Sequence, residues 1–411
     1  MSGERYQAVI VGAGLVGAAA ALALGRQGLR VALIERQLPP VPTDTWDTRI
    51  YAISPASQRF LERIGAWHRL DGGRIQPVFR MDVAGDGSGA VRLDAYEAGV
   101  PRLATILESG RLQSALWQAI KADGNVALHC PAAIASLERG EAGTRIMLSD
   151  GSTLEAELVV GADGAASRIR DWAGLGSTLT PYGQSGVVAN FECGRAHRGT
   201  AFQWFFDSDI LAWLPLSGHT IPHGLQPVVD RSTPEGHRDP PSGGNCVSMV
   251  WSTRSAHADE LVALDAESLA DKVRAAGHDR LGTLRLLTPA AAFPLRLIRV
   301  AAAVAPGVAL IGDAAHGVHP LAGQGVNLGF GDAEALVDVL AQQRRGNCGD
   351  VRVLQRYARE RAEPVQRMQA LTHGLHHLFA DERAAWMRNA GMSLVDRLPS
   401  LKAALVREAM S

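Results

Sequence analysis

The chain has 411 residues, of which 46% are hydrophobic and 20% are charged, and its 41 Lys and Arg residues nearly balance its 42 Asp and Glu residues. The length is sufficient for two intertwined folding units, and the formal charge of -1 lacks the basic excess expected of a nucleic-acid-binding protein. The four cysteines are far apart and form no Cys-X-X-Cys pair, so we expect no metal site and no disulfide framework.

The apolar stretch Val9–Leu24 has the length of a signal-peptide core, but its surroundings argue against that interpretation. Three glycines interrupt it, the residues before it lack a clear positive region, and no cleavage site with a polar start follows. No other stretch is long and apolar enough to span a bilayer. We therefore expect a soluble, cytoplasmic protein.

The first predicted elements form a βαβ unit. Tyr6–Val11 is a short apolar run, which is typical of a buried parallel strand. A glycine-rich turn and an Ala/Leu-rich helix follow, and the helix is expected to end near Gln27 because Gly28 suits a C-cap. Arg30–Glu35 is a second apolar strand, which ends in an acid.

The turn of this unit has the pattern Gly12-Ala-Gly14-Leu-Val-Gly17. Gly12 permits a tight turn, Gly14 permits a pyrophosphate to approach the backbone, and Gly17 permits close packing of helix and strand. The N-terminus of the helix then faces the phosphates, and Glu35 stands where an acid binds ribose hydroxyls. The unit predicts a dinucleotide site but does not distinguish FAD from NAD.

The rest of the chain alternates helices and strands before it becomes mainly helical. One segment is rich in Pro, Gly, Ser and His, which favours an exposed loop. In chain order we predict a loop at Pro39–Asp47, a helix at Pro55–Ile64 capped by Ser54, a helix at Gly110–Ala122, a hairpin within Leu137–Leu158 leading into a strand that ends at Gly161, antiparallel strands within Val187–Pro215 and Val247–Trp251, the exposed loop at His219–Asn245, a strand at Val308–Ile311 and helices from Val326 onward.

A second glycine-containing segment runs from Val160 to Arg170 with the sequence VGADGAASRIR. Asp163 stands between small residues just after a predicted strand, and one serine and two arginines follow. Two interpretations stay open. Asp163 either contributes to the dinucleotide site or only caps the helix that begins there.

The third and longest segment runs from Leu310 to Gly329 with the sequence LIGDAAHGVHPLAGQGVNLG. Asp313 follows a strand, where it can accept hydrogen bonds from a chain of sugar-like hydroxyls. Gly323–Gly325 opens a helix whose free amides and positive dipole end would stabilise negative charge on a bound ring, as develops on a reduced flavin. His316 and His319 are candidates for proton transfer, although hydrogen-bonding support is the more common role in such a loop.

Together the three segments resemble the GxGxxG, DG and GD motifs of the group A flavoprotein aromatic hydroxylases, the family of para-hydroxybenzoate hydroxylase. The resemblance spans nearly the whole chain and departs from the family pattern at His219–Asn245, which looks like an insertion. Segments that resemble the ubiquinone-biosynthesis branch are Asp47–Ser54, Val250–Ser252, Pro320–Gly329 and the tail Asn389–Met410.

The resemblance implies an α/β fold with a Rossmann-like FAD-binding domain, an interleaved antiparallel-sheet substrate domain and a helical C-terminal tail. We expect a discontinuous FAD-binding domain at residues 1–70, 102–175 and 300–345. The substrate domain is expected at 71–101 and 176–299, and the helical C-terminal region at 346–411.

The resemblance also implies which residues bind FAD. Asp163 would contact FAD, Arg49 would lie near the flavin, and Arg111 would lie near the phosphates. The ADP half would be held by Gly12, Gly14, Gly17, Glu35 and Arg36, the ribityl chain by Gly312 and Asp313, and the flavin ring by Pro320, Gly325, Val326 and Asn327. The catalytic set, which would line the isoalloxazine ring, is Pro320, Gly323, Gln324 and Gly325.

The family reaction has two halves. Reduced nicotinamide transfers hydride to FAD, and reduced FAD then reacts with O2 to give a C4a-hydroperoxide whose distal oxygen enters an aromatic ring. The resemblance therefore implies hydroxylation of a polyprenylated phenol in ubiquinone biosynthesis, with NAD(P)H as a transient reductant. The expected partners are O2, the phenol, a ubiquinone-biosynthesis complex, the inner-membrane surface by peripheral contact, and further copies of this chain. No nucleic acid is expected.

Other functions stay open at this point. They are hydroxylation of another small aromatic, a flavin-dependent halogenase or reductase of the same fold, and a non-catalytic scaffold subunit. A halogenase would carry a tryptophan-rich signature, which is missing around Trp204 and Trp213, and a scaffold would have no need of intact flavin motifs. Trp204, Phe205 and Phe206 either contact an aromatic substrate or belong to the core. Phe202–Leu216 and Phe293–Val300 are the segments expected to supply apolar surface for a prenyl chain.

Overall fold

The computed structural model has the predicted α/β fold and describes residues 4–87, 89–140, 143–206, 209–218, 244–318, 323–343, 346–380, 385–398, 401–403 and 406–407. The predicted loop at His219–Asn245 lies outside the described residues, apart from Gly244 and Asn245. The strands are β1 (Glu4–Val11), β2 (Val31–Ile34), β3 (Ile50–Ile53), β4 (Gln76–Val78), β5 (Arg80–Ala84), β6 (Ala90–Asp94), β7 (Ala104–Glu108), β8 (Val126–His129), β9 (Ile134–Gly140), β10 (Gly143–Leu148), β11 (Thr153–Gly161), β12 (Ser177–Cys193), β13 (Thr200–Phe206), β14 (Asp209–Leu216), β15 (Cys246–Arg254), β16 (Leu284–Leu286), β17 (Ala291–Val300), β18 (Val304–Ala305), β19 (Val308–Leu310) and β20 (His316–Gly317). The α-helices are α1 (Leu15–Arg26), α2 (Pro55–Arg63), α3 (Ser109–Lys121), α4 (Arg168–Trp172), α5 (Ser255–Ala263), α6 (Ala266–Ala276), α7 (Gly325–Ala341), α8 (Val351–Ala380) and α9 (Ala385–Arg397).

The first sheet has the strand order β18–β19–β11–β1–β2–β8 and is parallel from β19 to β8. The hairpin of β9 and β10 extends it beside β11. One face is covered by α1, α3 and α7, which bury Leu22, Leu116 and Phe330 in a common core. The predicted βαβ unit is confirmed, since α1 ends at Arg26 and Gly28 has the positive φ of +86° expected after a helix.

The second sheet has the order β20–β17–β12–β15–β14–β13–β5–β6, with β16 also paired to β12. Successive residues of a strand point to opposite faces. Met249 and Trp251 of β15 therefore pack with α5 and α6 in an apolar core, while Val250 and Ser252 face a cavity on the other side. The predicted antiparallel sheet is confirmed with one departure. β5 and β13 pair in parallel because β5 arrives from a separate segment of the chain.

A small antiparallel sheet, β3–β7–β4, links these layers. β7 leads directly into α3 of the first layer, and β4 is followed closely by β5 of the second sheet. β4 pairs with β7, although we assigned their segments to different domains. The same is true of β17 and β20. The domain boundaries given above stay a prediction.

The described C-terminal region is helical, as expected, and it returns to the second sheet. α9 lies along β6, where Asn389 Oδ1 accepts a hydrogen bond from the Gly89 amide at 2.9 Å. Asp396 Oδ1 accepts one from the Arg92 amide at 3.1 Å. Among the described residues, no helix has both the length and the apolar character needed to cross a membrane.

A buried carboxylate ties α7 to its neighbours. Asp332 Oδ2 lies 2.6 Å from His316 Nε2 and accepts from the Gly312 amide at 2.9 Å, while Oδ1 accepts from Arg361 Nε at 2.8 Å. Arg361, on α8, also donates to the carbonyl of Leu328 at 3.0 Å. Burial acts to raise the pKa of Asp332, but His316 and Arg361 outweigh it and hold the pKa below its ordinary value.

Replacing Arg361 by methionine is expected to destabilise the protein, because Asp332 would stay buried with one cation fewer. Breaking a buried ion pair from one side typically costs about 3–5 kcal/mol in the free energy of unfolding. Urea denaturation followed by circular dichroism would measure this loss.

The matched control is Arg63→Met, which removes an ion pair to Glu334 of the same helix at 2.7 Å, with 55% of the Arg63 side chain exposed. Exposed pairs contribute about 1 kcal/mol or less. Because the pKa of Asp332 is lower in the folded protein than in the unfolded chain, its ionised carboxylate stabilises the fold at pH values above the ordinary aspartate pKa. This stabilisation is lost as the pH falls through the pKa of the folded state. The difference in the free energy of unfolding between the wild type and Arg361→Met should therefore become smaller in acid. Equal losses in the two variants would contradict the assignment.

Candidate active site

The three sequence motifs begin at one edge of the first sheet. Val11, Gly161 and Leu310 are aligned partners on the neighbouring strands β1, β11 and β19. The ladder continues for one more residue, since Ala162 donates to the Val11 carbonyl and Ile311 donates to the Gly161 carbonyl, both at 2.9 Å. The motifs that follow these strands are therefore brought together, as expected for ligand sites at the carboxyl ends of parallel strands.

The glycines of the first motif have different roles. Gly12 has φ +101°, and a Cβ there would lie 2.4 Å from the Ala162 carbonyl oxygen. A Cβ on Gly17 would lie 2.0 Å from the Gly12 carbonyl oxygen, so both positions are closed by backbone. A Cβ on Gly14 would meet nothing within 4 Å, and Gly14 lines the cavity. The backbone contacts match the tight turn expected at Gly12 and the close packing expected at Gly17, while the approach of a pyrophosphate to Gly14 stays a prediction.

Glu35 supports the glycine turn. Its Oε2 accepts a hydrogen bond from the Ala13 amide at 2.8 Å, and Oε1 accepts one from the Arg36 amide at 2.7 Å. The side chain of Arg36 is exposed. A further contact was not predicted from the sequence: Gln113 and Trp117 of α3 donate to the Ala13 carbonyl at 3.2 and 3.1 Å.

Asp163 has the capping role that was one of its two interpretations. Oδ2 accepts from the amides of Arg168 and Ile169 at 2.7 and 3.2 Å, and Oδ1 accepts from the hydroxyl of Ser167. The neighbouring Ala162 and Gly164 line the cavity. A direct contact between Asp163 and FAD stays a prediction.

The third motif places Gly312 and Asp313 in the cavity wall. The Asp313 side chain is open to the cavity but surrounded by protein, and this burial raises the pKa of its carboxyl group, with His316 and Arg49 partly opposing the rise. His316 itself is buried against Asp332. The contacts of His316 therefore match the supporting role expected for a histidine in this loop.

The start of α7 faces the same cavity, which Gly323, Gln324, Gly325 and Val326 line. Among the described residues, no side chain caps the N-terminus of α1 or α7, whereas Ser54 caps α2 and Ser167 caps α4. The first amides of α1 and α7 are therefore available to a ligand. Pro320 and His319 lie outside the described residues.

Asn327 fastens the start of α7 to the segment that follows Arg49. Its Oδ1 accepts from the Ser54 amide at 2.9 Å, and its Nδ2 donates to the Ala52 carbonyl at 2.8 Å. Asn327 is 7% exposed and lies behind the described cavity wall, to which its neighbour Val326 contributes. Its geometry is that of a positioning residue, and its predicted contact with the ring stays a prediction.

The two predicted arginines differ in placement. Arg49 lines the cavity, and its guanidinium carbon lies 5.3 Å from the ring centre of Phe293. Arg111 Nε donates to Glu108 at 2.8 Å and Nη2 donates to the Thr43 carbonyl at 2.8 Å, so this side chain holds the preceding loop. A phosphate contact of Arg111 stays a prediction.

The cavity continues from the glycine motifs to the second sheet and has a volume of about 720 Å³. Gln203 and Ser252 are the polar side chains that the second sheet contributes to the described wall. Trp204 faces the opposite side and packs in the core, and Phe205 and Phe206 also lie in apolar clusters. The apolar wall at this end includes Val78, Leu103, Ile106, Val188, Ala201, Ile210, Ala212, Leu214 and Val250.

The residues present fit FAD. Gly14 opens onto the cavity beside the uncapped start of α1, which suits a pyrophosphate, and Asp313 stands where it can accept from ribityl hydroxyls. The uncapped start of α7 suits a ring that becomes anionic on reduction. The cavity therefore offers a polar end for the cofactor and an apolar end beyond it.

Comparisons with known proteins agree with this geometry. The family model described as "FAD binding domain" matches residues 5–372. The chain is 33% identical to 3-demethoxyubiquinol 3-hydroxylase of Escherichia coli, with all of both chains covered, and 34% identical to ubiquinone hydroxylase UbiL of Rhodospirillum rubrum, with 98% of this chain and 89% of the relative covered. The crystal structure of PqsL from P. aeruginosa in complex with 2-aminobenzoylacetate has the same fold, with a TM-score of 0.76, 24% identity, and coverage of 95% of this chain and all of that chain.

The match to the FAD-binding model covers most of the chain, and the two curated relatives match over nearly their full lengths. The glycine turn, the aspartate after β19 and the uncapped α7 supply the corresponding cofactor geometry. The chain therefore belongs to the family of FAD-dependent aromatic monooxygenases that includes the ubiquinone-biosynthesis hydroxylases.

Proposed function

We propose that this protein hydroxylates the aromatic ring of a polyprenylated phenol in ubiquinone biosynthesis, with FAD as cofactor and O2 as the oxygen source. The observation that carries the proposal is that one continuous cavity joins the glycine motifs to an apolar wall on the second sheet. The names of the relatives from Escherichia coli and Rhodospirillum rubrum support the substrate class. Reduced nicotinamide, NAD(P)H, is proposed as the transient electron donor.

When bound, FAD supplies hydride acceptance and O2 activation, and the protein supplies position and electrostatics. The amides at the start of α7, next to Gly323–Gly325, would stabilise negative charge on the reduced ring. The carboxylate of Asp313 would accept hydrogen bonds from the ribityl chain. Arg49, which reaches the same cavity, would add positive charge near the ring.

The second sheet would hold the phenol against the flavin. Ala212, Leu214 and Val250 provide apolar surface that excludes water, which favours oxygen transfer over loss of the activated oxygen. Gln203 and Ser252 are the polar groups that this sheet offers to the phenol hydroxyl. The small side chain of Ala212 leaves room for a substituted ring.

Of the segments predicted to contact a prenyl chain, Phe202–Leu216 supplies part of this wall, whereas Phe293 is 40% exposed beside Arg49. Membership of a ubiquinone-biosynthesis complex, peripheral membrane contact and self-association remain part of the proposal. They follow from the resemblance and from the lipid character of the substrate class.

The direct test uses purified protein loaded with FAD. NAD(P)H oxidation would be followed with and without a prenylated phenol, and the product would be examined by mass spectrometry. A product heavier by one oxygen supports the proposal, and the position of the new hydroxyl identifies the ring carbon. A flavin spectrum without oxygen insertion into any phenol would instead favour a reductase, halogenase or scaffold.

Asp313→Asn is expected to weaken FAD binding by about tenfold or more, because the variant loses charge-assisted hydrogen bonds to the ribityl hydroxyls. The measurement is quenching of FAD fluorescence during titration of the deflavinated protein. Asp338→Asn is the matched control, since Asp338 is exposed on α7 and should leave the affinity unchanged.

The pH dependence gives an independent check on the same residue. Burial raises the pKa of Asp313, so its carboxylate is lost at a higher pH than for an ordinary aspartate. FAD affinity in the wild type should therefore fall as pH is lowered through that raised pKa, and Asp313→Asn should flatten the dependence. Identical pH profiles in the two proteins would argue against a role of Asp313 in FAD binding.

Ala212→Phe is expected to lower kcat/KM for a prenylated phenol by about tenfold or more, because the larger ring occupies the apolar end of the cavity. The FAD spectrum should not change. Ala263→Phe, at an exposed position in α5, is the control for the added ring. Unchanged kinetics in Ala212→Phe would place the substrate elsewhere.

A further inference from the structure

The C-terminal segment 385–407 packs against the substrate end of the cavity through one face of α9. Asn389 and Asp396 bind backbone amides of the β5–β6 hairpin, and Met392 packs in a small apolar cluster with Phe205 and Ile210. These three inward residues are spaced three and four positions apart, as residues on one helix face are. Ile210 also lines the cavity, so α9 lies directly behind that wall.

The same segment then enters the wall itself. Val406 is 3% exposed and lines the cavity. Lys402, just before it, lies 3.4 Å from both Glu97 and Asp396, which ties the turn between α9 and Val406 to the second sheet. The segment therefore separates the apolar end of the cavity from the exterior.

The outer face of the segment has a different character. Leu394, Leu398 and Leu401 are 58%, 41% and 38% exposed, although they are large apolar residues within eight positions of each other. Leu394 lies on α9 opposite Met392 and Asp396, and Leu398 directly follows the end of the helix. Arg397 and Arg407 are exposed in the same stretch. We call these five residues, which share the segment 394–407 and are all exposed, the outer face.

We infer that the outer face docks on an anionic phospholipid bilayer and brings the apolar end of the cavity to the lipid surface. Exposed leucines next to arginines are suited to the boundary between acyl chains and anionic headgroups. Asp396, which lies between Leu394 and Leu398 in the chain, accepts from the Arg92 amide at 3.1 Å and pairs with Lys402 at 3.4 Å, so Lys402 balances its negative charge.

This inference deepens the proposed function and rests on it, because a polyprenylated phenol resides in the bilayer. Val406 is carried by the same segment as the exposed leucines, so contact with lipid occurs next to the cavity wall. Docking at this face would shorten the path of a prenyl chain from the membrane to Ile210 and the wall behind it.

The test is flotation of the FAD-loaded full chain with vesicles of phosphatidylcholine alone or of phosphatidylcholine with phosphatidylglycerol. The wild type should float with the anionic vesicles. The triple variant Leu394→Ser, Leu398→Ser, Leu401→Ser should bind them about tenfold more weakly or worse. Arg397→Gln and Arg407→Gln should each weaken binding about fivefold, an effect that salt should reduce.

The matched control replaces three exposed apolar residues elsewhere by serine, namely Met147, Leu179 and Val262, which are 42%, 47% and 39% exposed. This control should bind vesicles as the wild type does. A tail-less phenol supplied in solution should be oxidised equally by the wild type and by both triple variants.

Equal flotation of the wild type and the leucine variant would overturn the inference. So would a dimer in light scattering that only the leucine variant loses, because the outer face would then join two copies of the chain. Flotation that depends on the leucines, without oxygen insertion into any phenol, would support docking while refuting the proposed function.

Discussion

The common register of β1, β11 and β19 is the constraint on which the site depends. Because Val11, Gly161 and Leu310 are aligned across three neighbouring strands, the segments after them must emerge side by side, although they come from distant parts of the chain. A slip of one residue would turn the side chains of a strand to the opposite face and separate the motifs. The glycine turn, the Asp163 cap and Asp313 all take their positions from this alignment.

The flavin side of the cavity is fixed from behind by α7. Asp332 binds the Gly312 amide and His316 while Arg361 neutralises it from α8, so the loop that carries Asp313 is held by a buried carboxylate. Asn327 connects the same helix to the strand that follows Arg49. Two polar networks thus set the distance between the α7 amides, Asp313 and Arg49, which are the groups that would face the flavin ring.

The substrate side is governed by a simpler rule. The strict alternation of strand residues sends Met249 and Trp251 towards α5 and α6, and Val250 and Ser252 towards the cavity. The bulky aromatics are mainly used for the core, so the cavity wall on this side consists mostly of aliphatic side chains, with Phe202 as an aromatic member. An apolar wall with few polar groups suits a substrate whose reactivity resides in its own ring and in the cofactor.

The sequence by itself determined the βαβ unit, the need for glycine at positions 12 and 17, and the start of α7, because these depend on backbone conformation and local periodicity. It also pointed to Asp313, which follows a strand in a long and specific motif. Only the tertiary structure decided the contacts of Trp117 with Ala13, of Asp332 with Arg361 and of Asn327 with Ala52, since each joins residues far apart in the chain. The parallel pairing of β5 with β13 and the position of Val406 in the cavity wall depend likewise on long-range packing, which local patterns do not encode.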